Sequence, residues 1–67
     1  MKITLNGESF EIPVRLSVTA LLARLGIDPR RVAVEHNLAV VRRAAFDDTM
    51  IEDGDSVEVV NFVGGGA

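Results

Sequence analysis

The chain contains no cysteine, no tryptophan and no tyrosine, and only three phenylalanines and two prolines. Without a thiol there is no disulfide, no thiolate-bound metal, and no cysteine to act as nucleophile or persulfide carrier. Histidine occurs once, at His36, with neither cysteine nor a second histidine beside it, so a metal site is not expected there. As a base His36 would have no thiol to activate, and the serines are confined to Ser9, Ser17 and Ser56. It reads instead as a residue at the end of a strand. Basic excess is also missing. The formal net charge is −3, whereas nucleic-acid binders usually concentrate positive charge. Arg30-Arg31 and Arg42-Arg43 lack interleaved aromatics and read as solvent-facing pairs. No apolar run approaches the roughly 20 residues needed to cross a bilayer. The amino end alternates from Met1 onward, unlike a signal peptide. The expectation is a soluble cytoplasmic protein with no nucleic-acid or membrane partner.

Sixty-seven residues make one domain. A chain of this size buries only about 60% of the surface its unfolded form exposes, so the core is thin. Hydrophobic content is 48%, mostly aliphatic, which suits a folded domain. Lys2-Ile3-Thr4-Leu5-Asn6 alternates with period two, Asn6-Gly7 supplies a hairpin turn, and Ser9-Phe10-Glu11-Ile12 alternates again. The period then changes. Val18, Leu21, Leu22 and Leu25 share one helical face, Ser17 precedes them as an N-cap, and Leu16 with Leu21 forms a hydrophobic staple. Gly26 closes the helix and Pro29 blocks its resumption, which predicts a helix over about 18–25. So short a helix needs a sheet to lie on. Residues 31–36 read as a third strand, Asn37-Leu38 as a turn weaker than Asn-Gly, and 39–41 as a fourth strand. Residues 42–50 read as irregular, with Phe46 and Met50 as anchors into the core. Glu52-Asp53-Gly54-Asp55 is a turn, and a last strand runs from Ser56 to Phe62. The order is β-β-α-β-β-β. The intervening helix and strands are long enough for the last strand to pair centrally and parallel with the first.

After Phe62 the chain reads Val63-Gly64-Gly65-Gly66-Ala67. Glycine lacks a Cβ, so such a segment fits a slot that excludes side chains. A frayed end is one reading. The other is a working end whose main-chain carboxylate is the reactive group. That group ionises with a pKa of about 3.3–3.7, so at neutral pH it is a carboxylate able to attack an α-phosphate.

Several blocks together resemble the ubiquitin-like β-grasp sulfur carriers, and most closely the ThiS family of thiamin biosynthesis. They are Ile3-Thr4-Leu5-Asn6-Gly7, Leu16-Ser17-Val18 leading to Leu21-Leu22, Val32-Ala33-Val34 with Asn37, Ile51 to Val57, and Phe62-Val63-Gly64-Gly65-Gly66. The resemblance covers essentially the whole chain. It implies an α+β fold, a mixed four- to five-stranded sheet packed on one helix, with residues 1–63 as the β-grasp domain and 64–67 as a flexible reactive tail. It implies a carrier and not an enzyme, a monomer when free, with no bound cofactor or metal. In that family an E1-like (ThiF-like) enzyme spends ATP to adenylate the terminal glycine. A donor such as a cysteine desulfurase supplies sulfur, and a thiazole synthase (ThiG-like) takes it from the resulting thiocarboxylate. Carried onto this chain, the thiocarboxylate falls on Gly66, preceded by Gly65.

This chain departs from the family by the extra Ala67. The expectation is that a peptidase removes it and exposes Gly66. Gly64, Val60 and Phe62 are the candidate contacts for the partners, with Val60 and Phe62 outward if Val57 and Val59 face the core. The acidic run Asp47, Asp48, Glu52, Asp53 and Asp55 reads as a solvated loop and turn, or as a docking surface for a basic partner. Three other functions share the pattern. The small subunit of molybdopterin synthase has the same fold and end, but tends to carry prolines before its glycines, and here none follows Pro29. A ubiquitin-like protein modifier would use the same tail. A regulatory β-grasp module would not need one.

Overall fold

The structure is a computed structural model, and it describes residues 1–61. Strands β1 (Lys2–Leu5) and β2 (Glu8–Glu11) form the opening hairpin, paired from Lys2↔Glu11 to Leu5↔Glu8. Asn6 and Gly7 between them both have positive φ, as a tight two-residue turn demands. A two-residue strand β3 (Leu16–Ser17) leads into helix α1 (Val18–Arg24). Strands β4 (Val32–His36) and β5 (Ala39–Val41) form a second hairpin, and β6 (Met50–Ile51) pairs antiparallel with β3. Strand β7 (Ser56–Asn61) completes the main sheet, whose order is β2-β1-β7-β4-β5. The final strand is therefore central and parallel to the first, as the crossover length allows.

Helix α1 is bounded at both ends by its own sequence. The Ser17 hydroxyl accepts from the Ala20 N–H at 3.0 Å. Two further N–H groups of the first turn, otherwise without partners, find carbonyls in the 42–50 stretch. The Val18 N–H donates to the Thr49 carbonyl oxygen (3.0 Å), and the Thr19 N–H to that of Phe46 (3.2 Å). At the other end Leu25 is the C-cap and Gly26 follows with φ +72°. The Gly26 N–H donates to Ala23 and the Ile27 N–H to Leu22, the paired bonds of a Schellman ending. The helix stops at Arg24, one residue inside the expected range.

The strand expected over 31–36 begins at Val32. Pro29–Arg31 forms a short 3-10 turn, because the Asp28 side chain caps the Arg30 N–H (2.9 Å) and proline suits a first helical position. The β3–β6 pair was not expected. Two residues per strand carry no periodicity, and the contact becomes visible only when the stretch around Phe46 folds beneath the helix. Phe46 is buried there, as expected of an anchor, and Met50 is half-buried within β6.

The core lies between helix and sheet. Val18, Leu21 and Leu22 of α1 meet Ile3, Ile12, Val32, Val34 and Val57 of the sheet side, with Phe46 and Ile51 closing one end. Alternation along β4 and β7 puts Val34 opposite Val59 on the core side. The other face of the sheet has no layer over it among the described residues. Among the described residues no helix is long and apolar enough to cross a membrane.

Candidate functional site

The expected reactive residues Gly65 and Gly66, the contacts Gly64 and Phe62, and the extra Ala67 lie outside the described residues. What the structure places is the strand that leads to them. Ser56–Asn61 is bonded on both sides, parallel to β1 and antiparallel to β4, and its register with β4 holds as far as Val32↔Asn61. The segment after Asn61 thus starts from a strand in the middle of the sheet.

Two asparagines secure that strand. Asn6, in the first turn, accepts the Val59 N–H on its side-chain oxygen at 2.7 Å, beyond the point where β1 ends. Asn37, in the turn of the second hairpin, accepts the Ser56 N–H on its side-chain oxygen at 2.9 Å and donates its own N–H to the Ser56 carbonyl at 2.8 Å. Sequence reasoning read both residues only as turn formers. Their tolerance of positive φ was the visible signal. Their second use, as substitutes for backbone partners, depends on which strand lies beside the turn.

Near the start of β7, His36 Nε2 lies 2.7 Å from Asp55 Oδ2, and both side chains are about one-fifth exposed. A carboxylate only accepts, so Nε2 is the nitrogen that carries the proton. The same carboxylate oxygen accepts the Glu52 N–H at 2.9 Å. Partial burial raises the Asp55 carboxyl, but the hydrogen bonds from His36 and the Glu52 backbone outweigh it and hold the group below its ordinary value. His36 does sit at a strand end, where it braces a turn. Asp28, on the surface, is lowered to about 2, first by its side-chain hydrogen bond from Arg30 and then by the Arg30 backbone N–H. Among the described residues no three His, Asp or Glu side chains converge as metal ligands would.

Val60 is where its alternation puts it. Val57 is buried, Val59 is half-buried and Val60 is 58% exposed on the open face of the sheet. It pairs in register with Ala33 of β4. Of the acidic run, Asp55 and Asp53 serve the fold. Asp55 bonds His36, and Asp53 accepts the Lys2 N–H at 2.8 Å.

Comparison with known proteins supplies the remaining identification. The ThiS family model matches residues 3–66. A protein named thiazole synthase from Paramagnetospirillum magneticum is 43% identical over 67 residues, which is 100% of this chain and 21% of that protein. Another thiazole synthase, from Magnetococcus marinus, is 44% identical over 66 residues, 98% of this chain and 20% of that one. The chain spans about a fifth of the length of these curated relatives. The crystal structure of the thiamine biosynthesis protein ThiS from Geobacter metallireducens superposes with a TM-score of 0.87 at 39% identity, covering 94% of this chain and 96% of that one. With the β-grasp sheet, its single helix and the family match running through the glycines, the chain belongs to the ThiS family of ubiquitin-like sulfur carriers.

Proposed function

We propose that the chain carries sulfur for thiazole formation in thiamin biosynthesis, as a thiocarboxylate on Gly66. The observation that carries this reading is the glycine run 64–66, which the family match includes to its last residue while leaving out Ala67. In this reading a peptidase first hydrolyses the Gly66–Ala67 bond. The freed Gly66 carboxylate then attacks the α-phosphorus of ATP within a ThiF-like enzyme. One carboxylate oxygen becomes bonded to phosphorus and pyrophosphate leaves. The outer sulfur of a persulfide, delivered by a donor such as a cysteine desulfurase, attacks the acyl carbon, and AMP departs with the oxygen. A thiol reductant then supplies two electrons to cleave the resulting acyl disulfide and leave the thiocarboxylate. Within a thiazole synthase the thiocarboxylate sulfur then replaces the oxygen of a substrate carbonyl. The Gly66 carbonyl carbon takes an oxygen from that carbonyl or from water, so the carboxylate is restored. The folded body contributes recognition and no catalytic group. The names of the two bacterial relatives support the choice of acceptor.

Intact-mass measurement tests the reading. The protein is incubated with ATP, the adenylating enzyme, a sulfur donor and a thiol reductant, starting once from the full chain and once from a chain ending at Gly66. The shorter chain is expected to gain the mass difference between one sulfur and one oxygen atom. The full chain is expected to do so only after losing Ala67. Sulfur on a chain that retains Ala67 would end the trimming step, and no gain on either chain would end the carrier assignment.

A further inference from the structure

Of the seven basic side chains six are arginine, and Lys2 is the one lysine. The fold gathers four of the arginines where β7 ends. Val32 pairs with Asn61, so Arg31 flanks the point from which the chain continues to Gly66. Strand β5 runs back beside β4 with Val41 opposite Val34, which brings Arg42 and Arg43 toward the same end. Arg43 donates from its guanidinium to the Arg30 carbonyl at 3.2 Å. Arg30 holds both oxygens of Asp28, at 3.2 and 3.0 Å. These two arginines use the guanidinium for the fold. Arg31 and Arg42 have no such use for it. The Arg31 side chain is 82% exposed and 3.9 Å from Asp28, and Arg42 is exposed with no ion pair among the described residues. Lysine would supply the same charge at both places. The amines lie elsewhere. Strands β1 and β7 are parallel and the Gly54 N–H donates to the Lys2 carbonyl, so Lys2 is level with the start of β7. The Met1 ammonium is beside it, donating to the Ile12 carbonyl at 2.8 Å. From Gly54 to Asn61 is about 20 Å along the strand direction. The stretch from Asn61 to Gly66 spans about 17 Å at most.

We propose that Arg31 and Arg42 keep positive charge at the tail end while denying the activated Gly66 an internal amine, so that a sulfur nucleophile and not the chain itself takes the acyl group. The proposal rests on the adenylation reading given above. An acyl adenylate reacts with a free amine within reach. Nitrogen attacks the acyl carbon, a C–N bond forms, the C–O bond to AMP breaks, AMP leaves and the nitrogen loses a proton. The product is an isopeptide ring, an amide that a persulfide does not reopen. At pH 7 about one lysine amine in 2,500 is unprotonated, against fewer than about one guanidinium in 300,000. Tethering an amine near the acyl carbon gives it an effective concentration on the order of millimolar. A lysine at 31 or 42 would therefore compete with the sulfur donor, and arginine does not. Lys2 is kept out by distance, because it meets Gly66 only when the tail is turned back along the sheet with both tail and side chain fully stretched.

The test compares wild type, Arg31→Lys, Arg42→Lys and Arg15→Lys, all ending at Gly66. Arg15 pairs with Glu52, next to the Asp53 that accepts the Lys2 N–H, so the last variant makes the same exchange at the far end. Each chain is prepared as a C-terminal thioester and, separately, is incubated with ATP, the adenylating enzyme, a sulfur donor and a thiol reductant. Intact mass reads the product, since the ring is one water lighter than the free acid, and fragmentation locates the new amide. As thioesters, Arg31→Lys and Arg42→Lys are expected to cyclise about tenfold faster than Arg15→Lys or wild type. In the enzymatic reaction the same two variants should divert part of the chain into the ring and yield less thiocarboxylate. Unchanged melting temperatures would show that the fold is kept. If the thioesters of both variants hydrolyse without cyclising, or wild type closes on Lys2 as fast, the proposal is wrong while the carrier reading stands. Full thiocarboxylate yield from both variants would also overturn it, because the enzyme alone would then shield the acyl group. A wild-type chain that is never adenylated overturns both readings.

Discussion

Asp55 illustrates how one side chain on this surface is tied to pH. Its folded value is depressed, so the stability it contributes is present in full above its ordinary value of 3.8 and is lost as pH falls through the lower folded value. Asp55→Asn should therefore cost about 1–2 kcal/mol at neutral pH and flatten the decline of stability across that acid window, as urea titrations at several pH values would show. A steep decline retained by the variant would place the effect elsewhere. Leu38 works in the opposite direction. Both residues of its turn have positive φ, and glycine takes that conformation without the penalty a side chain incurs. Leu38→Gly should raise stability by about 0.5 kcal/mol, once the greater freedom of glycine in the unfolded chain is subtracted, and melting curves would register it as a few degrees. At this scale the sequence was half legible. Asn-Gly and Asn-Leu announced turns, but nothing in their spacing announced that Asn6 and Asn37 would each hold β7.

Among the elements, α1 was the most readable and the stretch after β5 the least. Four apolar positions, a serine before them and a glycine after them define a helix without help from the rest of the chain. Its caps give a direct check. Ser17→Ala should cost about 1 kcal/mol, and Gly26→Ala a similar amount because Gly26 has φ +72° with open space around it, so the penalty is conformational and not steric. Equal melting temperatures for wild type and Gly26→Ala would contradict the Schellman ending. The short β6 and the turn before it escaped pattern reading for a physical reason. Residues 42–50 are ordered by what lies above them, namely the N–H groups at the start of α1 and the pocket that takes Phe46. Tertiary partners, and no local period, decide their path. The alternation of β7 was legible residue by residue, and with it the exposure of Val60. Its pairing of Glu58 with Glu35 was not, since register across the intervening β5 and β6 cannot be counted from either strand alone.

For the molecule as a whole, the proposed function divides the work between body and tail, and among the described residues the buried core runs from Ile3 to Val57. Deleting residues 64–67 should leave the urea midpoint and its slope unchanged while abolishing sulfur loading in the mass assay. A fall in the midpoint would mean that the glycines also brace the fold. The parallel placement of β1 and β7 has a mechanical consequence. Because the two strands run in the same direction, Met1 and Asn61 sit at opposite ends of the pair. Traction applied at Asn61 against an anchored Met1 slides the strands along each other. The bonds from Thr4 to Asp55, Asn6 to Val57, Gly54 to Lys2 and Val59 to Asn6 are then strained together and not peeled in turn. An enzyme that drags the tail into its interior would load them in that shared manner, and the handle would yield far later than a strand that unzips from its neighbour.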